Sequence, residues 1–432
     1  MCVPKNLHKE GKTHTMREKR ESEIILEFCV ELCRRMILSG ANLERVQLAV
    51  ERICRAYGLE EVDLFLLSHR VSLSAVDADG EFVLRQCTIP PAGIQLEQLQ
   101  QLNRLSFEVV KERPEPKRLY KLLDQATEVA DRPDWQILLA QIGALCCLGL
   151  IFGGGAQELM AVSLVAVVLH YVMLLSAGLG LDRVVMNAVN LWFATVAAIL
   201  VMNSGISTNG PVILITVSML AIPGIPLVNS VRNLLCGNEM NGILQLAKVI
   251  IETLSMGMGI CVALWMFGMA DGMSNAVVTT MQDPVLLVLV SFLASCGFAV
   301  VFRIANRDLW LAGLGGALTR VVLLLISPIF PQRIVFVTLA AMGAALYGEL
   351  LATKCRTPST YYIYPSIIPL IPGDLFYYAL VALYLGDKEM FLSNGTNCLV
   401  TLVGMSIGFV LSSIIAHYVR RVRFDRLVDY YS

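Results

Sequence analysis

Apolar residues dominate the last two-thirds of the chain, where they form ten runs of about twenty residues separated by short polar stretches. A run of this length is what an α-helix needs to cross the hydrocarbon core of a bilayer, so we predict ten transmembrane helices. The runs are Trp135–Gly153, Leu159–Leu181, Val185–Ser204, Pro211–Leu235, Lys248–Met269, Pro284–Ile304, Trp310–Ile326, Ile334–Ala352, Tyr361–Leu385 and Gly395–His417.

The first 132 residues follow other patterns. Apolar positions recur at helical spacing in four segments, and Asn42 stands where an N-cap of the second would lie. Between the second and third segments the period changes to two, followed by Asp79-Gly80, which is typical of a β-hairpin. The four predicted helices are Glu23–Ile37, Leu43–Tyr57, Leu96–Glu112 and Pro116–Ala130. We therefore expect a small cytoplasmic α/β domain packed near the membrane entrance.

The composition agrees with a membrane protein. Of the 432 residues, 56% are hydrophobic and 16% are charged, and the charges crowd into the two ends of the chain. The formal net charge of -1 gives no indication of nucleic-acid binding. The predicted organisation is a cytoplasmic domain at 1–132, five transmembrane helices at 133–270, five more at 271–418 and a basic cytoplasmic tail at 419–432.

The distribution of basic residues predicts the orientation of the helices. No signal peptide precedes the charged opening segment, so we expect the amino terminus in the cytoplasm. An odd number of helices per set then makes the second set cross the membrane in the opposite sense, and places Lys354–Thr357 inside and Asp271–Asp283 and Asp387–Asn394 outside. Most loop lysines and arginines fall on the predicted inner side. We predict a multi-pass protein of the inner or plasma membrane with both termini cytoplasmic.

The two sets of helices resemble each other in sequence. The stretch FGGGAQEL at Phe152 corresponds to FRIANRDL at Phe302, and IPG at Ile222 corresponds to IPG at Ile371. Both pairs are separated by about 150 positions, as expected for an internal repeat. The fold prediction is therefore an α-helical polytopic membrane protein whose ten helices form two inverted five-helix repeats with broken fourth helices, preceded by the α/β domain.

The two Pro-Gly pairs predict where those fourth helices break. Pro223-Gly224 and Pro372-Gly373 each interrupt an apolar run near its middle, where proline removes a backbone donor and glycine tolerates unwound backbone. Such a break is stable at membrane depth when it faces a polar cavity, and the half-helix that follows points N–H groups into that cavity. We predict a carboxylate site there, as in secondary transporters. A kink that only eases packing is the alternative.

Polar residues near the breaks extend the predicted substrate site. Asn229, Arg232 and Asn233 are expected on one face of the half-helix after Gly224. An ionisable residue inside an apolar helix is a functional candidate, although structural pairing is the alternative. The predicted substrate-binding residues are Pro223, Gly224, Asn229, Arg232, Asn233, Pro372, Gly373, Asp374, Arg320 and His170.

Three carboxylates are candidates for coupling transport to a proton or another ion: Glu349, Asp374 and Glu252. Desolvation of a half-buried carboxylate favours its protonated form, which suits a proton carrier. Lys248 lies four residues before Glu252, so an ordinary ion pair on the helix surface is the favoured alternative for that glutamate.

Other chemistries have no support in the sequence. The 12 cysteines include no CxxC pair and no Cys/His spacing of a zinc site, so we predict neither a metal nor a cofactor. No GxxxxGK[ST] motif indicates an ATP-driven pump, and no GxSxG motif indicates a hydrolase. We predict that the protein is not an enzyme. An enzyme or regulator acting through residues 1–132 is the alternative of another class, and a homo-oligomer is compatible with the sequence.

Four stretches carry a resemblance to a known family. SGANLERVQLAVERICRAYGLEEVDLFLLSHRVSLS, DWQILLAQIGALCCLGLIFGG, AIPGIPLVNSVRNLLCGNEMNG and TPSTYYIYPSIIPLIPGDLFYYAL resemble, in this order, the signatures of the threonine/serine exporter family. The resemblance implies a secondary exporter of small hydroxy amino acids with ten spans. Related two-subunit members imply succinate as the alternative substrate. Where the family usually has Arg-Asp, this chain has Arg232-Asn233, and Asn241-Gly242 with Gln245 replaces a Ser-Gly followed by a basic residue.

Overall fold

The computed structural model describes residues 20–67, 70–77, 79–90, 93–128, 132–180, 182–207, 209–269, 281–355 and 357–431, and for residue 44 and residues 420–431 it describes the backbone alone. Arg356 and most of the Asp271–Asp283 loop, both named in the predicted orientation, lie outside these ranges.

Four helices and one sheet form the amino-terminal part, which we call the N-terminal layer. Its elements are α1 (Glu21–Leu38), α2 (Leu43–Ala56), β1 (Glu60–Leu67), β2 (Arg70–Val76), β3 (Phe82–Thr88), α3 (Leu96–Glu112) and α4 (Pro116–Thr127). All four helices and the hairpin lie where the hydrophobic pattern predicts them. The strands pair antiparallel in the order β1-β2-β3, with Val76 opposite Phe82 at the turn.

The alternation along β2 explains how the sheet covers the helices. Val71, Leu73 and Ala75 are fully buried, whereas the residues between them are partly exposed. Side chains at every second position of a strand point to the same face, so these three enter the core that the sheet shares with α1 and α2. The same buried cluster continues into Tyr361 and Tyr362 of the membrane helices. The N-terminal layer therefore packs directly on the rest of the protein.

Twelve helices follow within the described ranges. The first group is α5 (Asp134–Ile151), α6 (Ala156–Gly178), α7 (Arg183–Asn203), α8 (Gly210–Ala221), α9 (Gly224–Leu235) and α10 (Glu239–Met266). The second is α11 (Pro284–Val301), α12 (Leu309–Ile326), α13 (Arg333–Cys355), α14 (Thr360–Ser366), α15 (Gly373–Leu385) and α16 (Lys388–Tyr431), with short 3₁₀ turns at Asn306–Asp308 and Ile368–Leu370. Five helix starts correspond at an offset of about 150 positions, from 134 to 284, 183 to 333, 210 to 360, 224 to 373 and 239 to 388.

Nine of the described helical segments are long and apolar enough to cross a membrane, and the pair α8–α9, bent by 59°, makes a tenth. The chain is therefore a multi-pass helical membrane protein. Each group contains an interrupted fourth member, α8–α9 in the first and α14–α15 in the second, at the predicted Pro-Gly pairs. Proline at these points cannot continue the helical hydrogen bonding, and this explains why both apolar runs are broken.

The ends of α5 and α11 share one geometry. The N–H of Gly154 donates to the Gly149 carbonyl at 2.8 Å, and the N–H of Ile304 donates to the Ala299 carbonyl at 2.9 Å. The residue before each donor is left-handed, with φ of 78° at Gly153 and 56° at Arg303. A six-residue hydrogen bond closed by a left-handed residue is the Schellman ending of a helix. Arginine adopts in the second group a conformation that glycine provides in the first.

The N-terminal layer is hydrogen-bonded to this second helix end. The first two N–H groups of α3, from Leu96 and Glu97, donate to the Phe302 and Arg303 carbonyls, both at 3.0 Å. The Arg132 guanidinium donates to the next carbonyl, that of Ile304. Free N–H groups at a helix start and free carbonyls at a helix end satisfy one another here, and their partial charges are opposite. The contact fixes α3 at the end of α11.

Candidate functional site

Both Pro-Gly breaks are tight turns of the same kind. Pro223 has φ -76° and ψ 58°, and Pro372 has φ -79° and ψ 59°, the values of an inverse γ-turn. The N–H of Gly224 donates to the Ile222 carbonyl and that of Gly373 to the Ile371 carbonyl, each at 2.8 Å. These two N–H groups are therefore engaged within the turns, and the prediction that they meet a carboxylate is wrong for the glycines themselves.

The two breaks pack against each other. A Cβ atom on Gly224 would lie 2.8 Å from Cγ2 of Ile371, and one on Gly373 would lie 2.7 Å from Cγ of Met219. Neither glycine has a positive φ. Glycine is therefore required at both positions because another segment approaches closely, and not because of an unusual backbone conformation.

A cavity of about 220 Å³ opens beside the helix that follows the first break. We call it the amide cavity. Its walls come from the α1–α2 loop, residues 89–90 and 93–94, the start of α7, helices α9 and α10, and Tyr364 of α14. The cavity lies at the junction of the N-terminal layer with the membrane helices. Its polar lining residues are Asn42, Arg183, Asn229, Asn233, Gln245, Lys248, Glu252 and Tyr364.

Two hydrogen bonds hold the amide groups of the cavity in place. The Asn229 side-chain amide donates to the Tyr364 hydroxyl at 3.0 Å, across the two groups of helices. The Asn233 side-chain amide donates to the Gln245 carbonyl oxygen at 3.2 Å, between α9 and α10. Asn233 and Tyr364 are buried. The cavity therefore has an ordered polar wall built from both sides of the molecule.

Glu252 is the buried acid of this cavity. It is 5% exposed, and within the described residues its Oε1 atom has no hydrogen-bond partner. Lys248, one turn earlier on α10, is exposed. The expectation of an ordinary surface ion pair between them is wrong, because α10 turns Glu252 toward the protein interior. A buried carboxylate without a partner is costly, so the site favours a cation beside it.

Arg232 and Glu349 line a different cavity, which we call the Arg232 cavity. They line a cavity of about 390 Å³ with Arg45, Arg52 and Asn103, and Glu349 and Asn103 also line an adjoining space of about 830 Å³. The expectation that Arg232 shares a face with Asn229 and Asn233 is wrong. Adjacent residues of a helix differ by about 100° in direction, so Arg232 and Asn233 face different neighbours and line different cavities. Arg232 instead donates to the Ser413 hydroxyl at 3.3 Å.

Arg320 and His170 are helix-pairing residues in the structure. Arg320 Nε donates to the Ser291 hydroxyl at 3.0 Å, and His170 Nδ1 lies 2.8 Å from Oε1 of Gln141. Ser291 and Arg320 stand 150 positions after Gln141 and His170, so one polar pair joins the first two helices of each group. The described linings of the amide cavity and of the Arg232 cavity include neither Arg320 nor His170.

Asp374 occupies the first turn of α15, where an acid suits the positive end of the helix. It is partly buried, whereas Pro372 and Gly373 before it are buried. The described linings of the two cavities do not include Asp374. The structure therefore brings Asn229, Asn233 and Glu252 together in the amide cavity. The second break contacts the first, but the described lining of that cavity includes neither Pro372 nor Gly373.

Sequence reasoning missed five polar members of the amide cavity: Asn42, Arg183, Gln245, Lys248 and Tyr364. The sequence contained a signal for Gln245 and Lys248. They stand seven and four residues before Glu252, a spacing that places the three side chains on one face of a helix. Tyr364 had none, because it reaches the cavity from a helix more than 100 residues away in the chain.

Comparison with known proteins gives two family matches. A family model described as "Putative threonine/serine exporter" matches residues 27–267, and one described as "Threonine/Serine exporter, ThrE" matches residues 287–415. The chain is similar to "Probable succinate transporter subunit YjjP" of Klebsiella aerogenes, with 21% identity over 254 residues, 58% of this chain and 97% of that protein. No solved structure matches. These matches confirm the resemblance found in the sequence.

Proposed function

We propose, from the premise that this chain belongs to the threonine/serine exporter family, that it is a secondary transporter which exports threonine or serine by alternating access. The family is one of exporters of small metabolites, and the chain is built as a multi-pass membrane protein. The substrate, the coupling and the mechanism are the parts that we propose.

The amide cavity carries the proposal on the substrate. A free amino acid brings an ammonium group and a carboxylate into the same small volume. Buried Glu252 suits the ammonium group, and Lys248 and Arg183 suit the carboxylate. The amides of Asn229 and Asn233 supply donors and acceptors for a side-chain hydroxyl. Each charged group of a zwitterion therefore finds an opposite charge in the lining.

The mutual contact of the two breaks supports alternating access. The helix offset and the matched polar pairs support two five-helix repeats, and an odd number of spans per repeat makes them inverted in the membrane. Inverted repeats that meet at broken helices can rock about a central point and open to either side in turn. In this proposal the central point consists of two contacts, that of Gly224 with Ile371 and that of Gly373 with Met219.

We further propose that Glu252 couples export to a proton gradient. Its buried carboxylate is neutralised either by the substrate ammonium group or by a proton, and either one relieves the cost of a lone buried charge. Exchange of the substrate ammonium group for a proton at Glu252 therefore links movement of the substrate to movement of the proton. Asp374 and Glu349 stay as further candidates, with Asp374 beside the second break and Glu349 in the Arg232 cavity.

Succinate is the second candidate substrate, and the similarity to a succinate transporter subunit favours it. Lys248 and Arg183 could each bind one carboxylate. Glu252 would then have to be protonated, since a third carboxylate in the same cavity repels the substrate. The two candidates therefore make opposite predictions for removal of the Glu252 charge.

The test is counterflow in proteoliposomes with labelled threonine, serine and succinate, with and without a pH gradient. We expect exchange of threonine or serine, accelerated by the gradient, and no competition by an amino alcohol that lacks the carboxylate. Glu252→Gln should lower amino-acid counterflow by about tenfold or more, because a charge-assisted hydrogen bond is lost. Glu239→Gln, an exposed acid on the same helix, is the matched control and should behave as the wild type.

Other outcomes separate the candidates. Succinate exchange by the wild type without amino-acid exchange, improved further in Glu252→Gln, would establish the second candidate. Equal competition by the amino alcohol, or unchanged threonine exchange in Glu252→Gln, would remove the amide cavity from the transport pathway.

A further inference from the structure

A second cavity at the junction of the N-terminal layer with the membrane helices takes no part in binding the proposed substrate. It consists of two adjoining spaces of about 390 and 830 Å³ that share Arg45, Asn103, Phe107 and Glu349. We call it the arginine cavity. It adjoins the amide cavity at Asn42, which lines both, whereas Arg232 lines only the arginine cavity and Asn233 only the amide cavity.

Positive charge dominates its lining. Four arginines from three helices line it: Arg45 and Arg52 of α2, Arg104 of α3 and Arg232 of α9. Glu349 is the carboxylate among its described lining residues. Arg52, Arg104 and Arg232 form no ion pair with any described residue. The cavity therefore carries an excess of cationic charge over the carboxylates of its described lining.

The arginines are oriented by neutral partners. Arg45 donates to the Ser359 hydroxyl at 3.1 Å, and the Arg52 guanidinium lies 4.1 Å above the Phe107 ring while donating to the Leu48 carbonyl. Burial lowers the pKa of Arg52 from its ordinary value, because its charge has lost solvent. A stacked guanidinium keeps further N–H groups for another acceptor.

One buried polar group of the lining also lacks a partner. Thr360 is 5% exposed and its hydroxyl makes no hydrogen bond to a described residue, and Asn103 beside it is 3% exposed. Buried polar groups without partners are rare in folded proteins and call for a missing ligand or water. Both residues line the cavity beside the arginines.

We propose that the arginine cavity binds a phosphate-bearing ligand of at least two negative charges. Planar guanidinium groups match phosphate oxygens in pairs, and Thr360 and Asn103 supply the neutral donors that complete such a site. The four arginines exceed Glu349 by three charges, which suits a phosphate monoester or diphosphate. A free amino acid has no net charge and leaves this excess unbalanced, so the ligand is not the transported one.

Binding there joins the N-terminal layer to the transport machinery. The ligand bridges α2 and α3 to α9, the helix that also carries Asn229 and Asn233. Two sources could supply the phosphate: a soluble phosphorylated metabolite or the headgroup of an anionic lipid. Their shared chemistry is the phosphate group, and separate arms of the experiment distinguish them.

The test uses the full-length chain and thermal unfolding, without any transport assay. In detergent, inorganic pyrophosphate should raise Tm by several degrees, and citrate at equal ionic strength should not. If a lipid headgroup is the source, Tm in lipid nanodiscs should be several degrees higher with phosphatidylglycerol than with phosphatidylcholine. Arg104→Gln, at an exposed position, should weaken the apparent affinity for the effective probe at least tenfold, and Arg52→Gln should act likewise.

Arg55→Gln is the matched control, because Arg55 is an exposed arginine one turn beyond Arg52 and outside the described lining. It should respond as the wild type. No stabilisation by pyrophosphate or phosphatidylglycerol, stabilisation by citrate as strong as by pyrophosphate, or the same response in Arg104→Gln as in Arg55→Gln would overturn the proposal. Glu252→Gln should keep the full response, so a failure of the transport proposal leaves this result unaffected.

Discussion

Gly224 packs against Ile371 so closely that a Cβ atom at position 224 would lie 2.8 Å from Cγ2 of Ile371. The contact joins the two Pro-Gly breaks, since Gly224 follows the first proline and Ile371 precedes the second. Met219 and Gly373 make the reciprocal contact. The breaks thus serve as one another's packing surface.

Adding a methyl group at this contact should destabilise the protein. Gly224→Ala is expected to lower the free energy of unfolding by about 1–3 kcal/mol, the usual cost of overpacking. Gly373→Ala should cost less, because the flexible Met219 side chain can move aside. Thermal unfolding in detergent measures both.

Two controls accompany this prediction. The double variant Gly224→Ala/Ile371→Ala should lose less stability than the sum of its single variants, because alanine at 371 removes the colliding atoms. Gly143→Ala on α5, where a Cβ meets no atom within 4 Å, should be neutral or stabilising. A loss in Gly143→Ala equal to that in Gly224→Ala would contradict the close-contact explanation.

Arg320 is predicted from the sequence to bind the substrate, and in the structure it bonds to Ser291, outside the described lining of the amide cavity. We expect Arg320→Gln to abolish transport while membrane insertion and detergent stability stay near normal, because glutamine can keep a hydrogen bond to Ser291 and loses only the charge. The Gln141–His170 pair shows that an amide fits at this type of helix contact. Loss of folded protein in Arg320→Gln would instead assign Arg320 to holding α11 and α12 together.

The left-handed residue at the end of α11 offers a test of the repeated helix end. Arg303→Gly should be more stable than Arg303→Ala by about 1 kcal/mol, because both variants lose the side chain but only glycine adopts a φ of 56° without strain. Gly153→Ala should lose a similar amount at the end of α5. Equal stability of Arg303→Gly and Arg303→Ala, measured by thermal unfolding, would show that the conformation at 303 is unstrained.

The proposed orientation predicts which loops face the cytoplasm. In a variant with its native cysteines replaced, a membrane-impermeant thiol reagent should modify a cysteine at Ser393 in intact cells but not one at Lys354. Permeabilised cells provide the control, since both positions should then react. The reverse labelling pattern in intact cells would overturn the proposal that both termini are cytoplasmic.

Patterns that act locally were sufficient to predict most of the elements. Apolar runs near twenty residues and proline within them depend only on neighbouring residues, so the spans, both breaks and the helices of the N-terminal layer could be located before any contact was known. Boundaries were less accurate. The last predicted span, Gly395–His417, lies inside the longer helix Lys388–Tyr431, because polar residues at its ends continue the helix without contributing apolar length.

The sequence by itself determined the membrane class, the paired Pro-Gly turns and the resemblance to an exporter family. Only the tertiary structure decided what those turns contact and which polar residues share a cavity. Asn233 and Arg232 are adjacent in the chain but line different cavities, whereas Asn229 and Tyr364 are far apart and hydrogen-bonded. The physical reason is that helix periodicity fixes only relative directions within one helix, while the partner in each direction depends on how distant helices pack.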